Sequence, residues 1–360
     1  MTQFGLSPVC VLGAGFSKAI SQQMPTIDEL GETCRPLLEM AGHKDRLPTT
    51  FTNGLFEQWL SRLATDQPDY SAATNAENLG VFARASEAIT RMLDSAQRQT
   101  LLSSPCPPWL TSLVTWFHRL ESTVITFNYD NLVEYVVMSE VIEGSDGTER
   151  RRVLPIDILR DLPPYPPQPG RLAGPLAKTF ELLKLHGSLD WRWSPGDESG
   201  ATLNRLDLTG KWEHPGLPDA DEIARRLPGR EPFIVPPTAI KSPYYTNPIT
   251  RELWNRAAAA LDATKVVVLI GYSLPITDLV FTAMLRENVH AEVKGVGRHQ
   301  SIVVDLRPEL VKDNLFKLGY EQVHIAAEFG GENCVSDFVS AYVHDPNRFR
   351  ELLEETRGAS

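Results

Sequence analysis

The sequence predicts an α/β protein: an open parallel, Rossmann-like sheet flanked by helices, with a mainly helical insertion. Three observations carry this reading. Short apolar runs recur along the chain, the gaps between them leave room for helical crossovers, and the runs end in glycine or small polar turns. The runs are Pro8–Leu12, Ser122–Thr126, Leu182–Leu185, Lys265–Ile270 and Ser301–Asp305, and all but the third are rich in β-branched residues. Continuous apolar runs of this kind suit strands buried on both faces, as parallel strands are.

Between the first and second runs lie about a hundred residues, far more than one crossover needs. Within residues 53–102, Leu55, Phe56, Trp59, Leu60, Leu63, Leu79, Phe82, Ala83, Ile89 and Leu93 fall at helical spacing. Residues 35–118 therefore read as a helical insertion beside the sheet, able to cover a ligand crevice, and residues 1–34 and 119–345 as the sheet domain. Residues 143–178 are charged and then proline-rich. Pro163, Pro164, Pro166, Pro167 and Pro169 around Tyr165 predict a stiff extended connection, with a partner-docking segment as the alternative. Residues 194–231 read as an irregular loop or small subdomain.

Composition narrows the function. The 360 residues are 42% hydrophobic and 22% charged, which excludes disorder for the bulk of the chain. A net charge of −11, from 46 acidic against 35 basic residues, argues against a non-specific grip on nucleic acid. The cluster Arg150, Arg151 and Arg152 reads as a solvated loop. No apolar run approaches the roughly eighteen residues of a membrane span, and the N-terminus lacks the basic region of a signal peptide. A soluble cytoplasmic protein is expected. Cys10, Cys34, Cys106 and Cys334 are scattered without a C-x-x-C pair, so they read as reduced structural thiols.

The chemistry sits where the runs end. The first opens into Gly13-Ala14-Gly15-Phe16-Ser17-Lys18, and glycines before a helix start let backbone approach a phosphate. Alone this is weak, because a second G-x-G occurs at Gly295 and Gly297 and Lys18 stands where a dinucleotide fingerprint has its third glycine. The other runs end in Thr126-Phe127-Asn128-Tyr129-Asp130, His186-Gly187-Ser188, Gly271-Tyr272-Ser273 and Asp305. In a parallel sheet all these ends share one edge, where such folds bind ligands. An amide, a carboxylate, an imidazole and a hydroxyl beside glycine turns suit a polar nucleotide with a reactive ribose. Each residue also has a plainer reading. Asn128 and Asp130 could cap the next helix, His186 could be structural, and Ser273 could be a turn residue. Trp191, Trp193, Tyr244, Tyr245 and Trp254 read as packing or a lid, and Asp278 as helix-start chemistry.

The order Gly-Ala-Gly-x-Ser, Thr-x-Asn-x-Asp, His-Gly-Ser, Gly-x-Ser resembles the sirtuin superfamily of NAD-consuming proteins. The resemblance covers residues 8–34, 119–140, 178–193 and 230–310. It implies that Gly13, Ala14, Gly15, Phe16 and Ser17 cradle the NAD pyrophosphate and that Asn128 holds the nicotinamide ribose or the attacking water. Tyr129 and Asp130, beside Thr126, would bind the nicotinamide carboxamide. His186, next to Gly187, would be the general base. Gly271, Tyr272 and Ser273 would meet phosphate and ribose, and Asp305 the adenosine ribose. Phe127 replaces the glutamine of sirtuin deacylases, and no cysteine lies between Cys106 and Cys334 to build their zinc module. The chain is more similar to the zinc-free, sirtuin-like NAD hydrolases of bacterial antiphage defence. That resemblance implies NAD as substrate, no zinc, a homo-oligomer, and gating by a partner such as an ATPase or translocase, an Argonaute-like protein or a phage component. A protein deacylase or ADP-ribosyltransferase and a non-catalytic NAD-binding assembly module are the alternatives.

Overall fold

The computed structural model describes residues 7–145, 147, 149–166, 174–216, 220–239, 241–275, 277–289, 300–317, 324–345 and 347–351. Gly295, Gly297, Pro167 and Pro169 lie outside them.

Six strands form one all-parallel sheet: β1 (Val9–Leu12), β2 (Thr123–Thr126), β3 (Glu181–Lys184), β4 (Val266–Ile270), β5 (Gln300–Val304) and β6 (His324–Phe329). Their spatial order is β6-β5-β4-β1-β2-β3. The chain thus winds outward from β1 in both directions, the doubly wound Rossmann-type arrangement, and its order reverses between β1 and β4. Alternate residues explain the double-sided burial. Cys10, Leu12, Val124, Leu182, Val268, Ile270, Ile302 and Val304 pack into one core. Val9, Val11, Ile125, Leu183, Val267, Leu269 and Val303 pack into the other. Both faces need helical cover, as parallel sheets do.

Helix α1 (Ala14–Ile20) follows β1. Helices α2 (Ile27–Met40), α3 (Leu55–Leu63) and α4 (Ala72–Ser103) then build a third core from Leu30, Cys34, Leu38, Phe51, Phe56, Leu60, Ala85, Ile89 and Leu93. Asp28 accepts hydrogen bonds from the Asn53 and Gly54 amides, pinning the turn that starts α3. Helix α5 (Pro108–Leu120) differs from its predecessors. Its buried face, Leu110, Leu113, Val114, Trp116 and Phe117, belongs to the sheet core, and it delivers the chain to β2 through Glu121 in the left-handed region. Helix α6 (Leu132–Ser139) follows β2.

After β3 the chain turns at Leu185-His186 into an antiparallel sheet of Glu231–Ile234, Gly187–Trp193 and Asn204–Arg205. Leu189 and Ile234 from this sheet join the core of α2, α3 and α4, so the helical layer docks beside the end of β3. The arginine cluster is a strand rather than a loop, with Arg150 and Arg152 exposed to solvent as expected. Arg150–Arg152 is a strand paired with Glu143–Ser145, Arg151 makes two hydrogen bonds to the buried Asp157, and Arg152 donates to the Met138 carbonyl. The four cysteines are free thiols, three of them buried. No helix among the described residues is long and apolar enough to cross a membrane.

Candidate functional site

The reversal of strand order between β1 and β4 creates a crevice at the carboxyl edge, and three glycines shape its floor. The Gly15 amide donates to the Gly271 carbonyl (2.9 Å) and the Gly13 amide to the Ile270 carbonyl (3.1 Å). A Cβ on Gly13 would lie 2.5 Å from the Gly271 oxygen, and one on Gly271, at φ +58°, only 2.0 Å from the Phe16 nitrogen. The glycines therefore let two backbone turns touch. The amides of Gly13, Gly15 and Phe16 are engaged by neighbouring carbonyls, so these glycines bring α1 to the crevice more than they offer free donors.

The turn after β2 closes one polar cluster. The Asn128 amide nitrogen donates to the Gly13 carbonyl (2.8 Å) and to Ser17 Oγ (2.9 Å), and Ser17 Oγ donates to Asp130 Oδ2 (2.6 Å). Asp130 Oδ1 accepts from the Leu132 amide, which anchors the start of α6. Below, Lys184 Nζ donates to the Asp130 carbonyl and to Glu134 Oε1 (2.9 Å), and both of those side chains are 1% exposed. Asn128 Oδ1 makes no hydrogen bond among the described residues and remains able to meet a ligand. Thr126 Oγ1 accepts from the Asn128 amide, and the Tyr129 hydroxyl donates to the Val235 carbonyl (2.6 Å). One oxygen of Asp130 thus holds the start of α6 and the other holds Ser17.

Phe127, between those polar residues, points the other way. Its ring meets His186 edge-on and stacks on Tyr272, both at 4.8 Å. His186 sits in the turn leaving β3, where Gly187 at φ +85° lies against the Phe233 carbonyl and only a glycine fits. Its carbonyl accepts from the Val235 amide, and its ring makes no hydrogen bond to a described residue. Burial and then the nearby Lys241 cation depress its pKa to about 3, with Asp278 opposing. The imidazole is therefore neutral at neutral pH and can accept a proton.

Sequence reading placed Asp278 at a helix start, and its carbonyl does accept the Thr282 amide there. Its side chain, however, is buried among reactive groups. Oδ2 accepts from the Tyr272 hydroxyl (2.8 Å), Oδ1 accepts from Lys241 Nζ, and Oδ1 lies 3.9 Å from His186 Nε2. Burial opposes ionisation of Asp278, but the neighbouring His186 and Lys241 and the two hydrogen bonds outweigh it and hold its pKa low. Lys241 had no local signal. It follows a proline-rich strand end and is brought in by tertiary folding alone. A pocket of about 210 Å³ adjoins this cluster, lined by Lys241, Asp278, Tyr245, Trp254, Thr277 and Phe281 among others. Helix α3 borders it. Ser61 Oγ accepts from the Ala239 amide (2.8 Å), and Glu57 feels the charges of Lys241 and Asp278.

Ser273 and Asp305 share the edge but not these clusters. Ser273 is exposed, with its carbonyl held by Asn314, and the next residue, Leu274, takes a left-handed conformation at φ +53°. Asp305 Oδ1 accepts from the Arg307 amide, and partial burial pushes its pKa up. Of the five aromatic residues read as packing or lid, Tyr245 and Trp254 line the pocket and touch at 5.0 Å. Trp191, Trp193 and Tyr244 pack around Phe233. Among the described residues, no group of three His, Cys, Asp or Glu side chains could hold a metal ion.

No protein-family model matches the chain, and no curated protein does. One similar solved structure comes from work on the mechanism and regulation of Sir2 enzymes. It is 13% identical over 93% of this chain and 91% of that one, with a TM-score of 0.40. The likeness is distant, and the parallel sheet with its reversed strand order rests on this chain's own strand pairing.

Proposed function

We propose that the chain is an NAD glycohydrolase. Water would replace nicotinamide at the ribose anomeric carbon, giving ADP-ribose, nicotinamide and a proton. The observation that supports it best is a neutral imidazole, His186, with no hydrogen bond to a described residue, at the carboxyl edge of a reversed parallel sheet that also presents Asn128, Asp130 and Ser273. The residue set fits NAD as substrate. Ser273 offers an exposed hydroxyl, Asp305 a carboxylate at the end of β5, and Asn128 an unengaged Oδ1. In this reading Asp130 steadies the departing nicotinamide and Asn128 orients the water. His186 takes the proton as the cation-like ribose is captured. The order of motifs, which resembles the sirtuin-like NAD hydrolases of antiphage defence, supports the same reading. On that resemblance the enzyme is a NAD-depleting effector, cytoplasmic and gated by oligomerisation or by a partner protein.

One observation favours a second reading, transfer to an acceptor. The 210 Å³ pocket beside Asp278, walled by Tyr245 and Trp254, has room for a group other than water. Chromatography of products from NAD with the purified chain, alone and then with an acetyl-lysine peptide, separates these. Peptide-independent nicotinamide and ADP-ribose, lost in His186→Ala and Asn128→Ala, support hydrolysis. Turnover only with peptide supports transfer. NAD binding without turnover under either condition, or with a co-purified partner, leaves a binding module and refutes the hydrolase. Activity unchanged in a freshly isolated monomer refutes the gating.

A further inference from the structure

Asp278 Oδ1 has two suitors. Lys241 Nζ already donates to it, and His186 Nε2 stands 3.9 Å away, outside hydrogen-bond distance. The Tyr272 hydroxyl holds Oδ2 at 2.8 Å, so the carboxylate cannot turn to offer that oxygen instead. All three charged or chargeable side chains are nearly excluded from solvent, at 8%, 5% and 6% exposure for Asp278, Lys241 and His186. Asp278 and Lys241 also line the pocket. The carboxylate thus links the imidazole to the space through which a small molecule can come or go.

We propose that Asp278 is the positioning residue of His186 and that Lys241 competes with the imidazole for Asp278 Oδ1. The proposal rests on the reading of His186 as the base, though the competition itself needs no substrate. In the resting protein Lys241 holds Oδ1 and the imidazole is neutral. During the reaction a lone pair of the water oxygen forms the new C1′–O bond, and the electrons of the O–H bond that breaks stay on that oxygen. The C1′–N pair leaves with nicotinamide and the proton goes to His186. The imidazolium then gains an attraction to Oδ1 that the neutral ring lacked, and an approach of about 1 Å makes the hydrogen bond. The proton later leaves to solvent, so atoms and charge balance with no other reactant.

The other ionisable groups that feel Asp278 leave this competition intact. Tyr272 and Tyr129 have phenols that burial first, and Asp278 second, push far above their ordinary range, so they stay neutral. Glu57, on α3, is also pushed up by burial. Lys241 and Asp278 are the charges that decide the proton affinity of the ring.

The test is an NMR titration of the histidine ring protons, with His186→Ala assigning the resonance among the eight histidines. In the wild type His186 titrates well below the ordinary histidine range. Lys241→Met removes the competing cation and frees Oδ1, so the His186 midpoint rises, with a gain in proton affinity of tenfold or more. The double variant Lys241→Met/Asp278→Asn removes charge of both signs, keeps the interior neutral and reverses that gain. The acid limb of kcat/KM moves with the midpoint. An unchanged midpoint in Lys241→Met, or a gain kept in the double variant, overturns the proposal. Shifted midpoints in a protein that never cleaves NAD keep the competition and remove the hydrolase. Cleavage with unmoved midpoints does the reverse.

Discussion

Two polar clusters flank Phe127, and they are built on opposite plans. In the cluster of Ser17, Asn128 and Asp130, hydrogen bonds tie the side chains to one another and to backbone groups of Gly13, between β1 and α1, and of Leu132 at the start of α6. In the cluster of His186, Asp278, Lys241 and Tyr272, bonds run between side chains, the His186 ring makes no hydrogen bond to a described residue, and a pocket opens alongside. The first plan fixes geometry. The second holds a proton acceptor ready beside charges that balance each other. On the proposed function a catalytic edge needs both, with stability resting chiefly on the first and turnover chiefly on the second.

Four experiments would break or sharpen that contrast. Lys184→Met beneath the first cluster strands Glu134 as an unpaired buried carboxyl and should cost about 3–5 kcal/mol, read from the urea midpoint. A loss below 1 kcal/mol would end the claim that this side is the scaffold. His186→Ala should lower kcat for NAD by about a hundredfold or more while the protein stays folded by circular dichroism. A variant that keeps most of its turnover would move the chemistry elsewhere.

The third experiment uses pH. His186 titrates at about 3 when folded and near 6.5 when unfolded, so between those values the unfolded chain binds the extra proton. The stability tied to His186 is complete above about pH 6.5 and is lost as pH falls toward 3. Relative to His186→Ala, the wild type should lose on the order of 1–2 kcal/mol between pH 6.5 and 5, and parallel curves would refute the buried neutral ring. The smallest effect belongs to Ser273→Ala. Its exposed hydroxyl supports no internal contact, so stability should change by less than about 0.5 kcal/mol while KM for NAD rises several-fold. An unchanged KM would take Ser273 out of the binding surface.

Much of the scaffold was legible in the sequence because five strands are short apolar runs, four of them rich in β-branched residues. The sixth, His324–Phe329, was not, since its middle residues Ala326, Ala327 and Glu328 are weak strand formers and its place at the sheet edge comes from pairing with β5. Gly187–Trp193 was also missed. Its polar Ser188, Asp190 and Arg192 are buried, so alternation does not separate inside from outside. The glycine turns, Asn128, Asp130 and His186 were legible because each directly follows a strand. Asp278 and Lys241 were not. One resembles an ordinary helix start, the other ends a proline-rich stretch, and only the packed fold sets Lys241 on Asp278 Oδ1 with His186 3.9 Å away.

The bond from the Ala239 amide to Ser61 Oγ spans 178 positions of sequence and ties the loop bearing Lys241 to α3. Fraying of that helix therefore loosens a wall of the pocket without breaking a strand of the parallel sheet. Amide exchange at Ala239 and along Leu55–Leu63 should rise and fall together as one cooperative unit. On the proposed function, a ligand gripping the outer face of α3 would act on His186 through the loop bearing Lys241, and it need never enter the crevice.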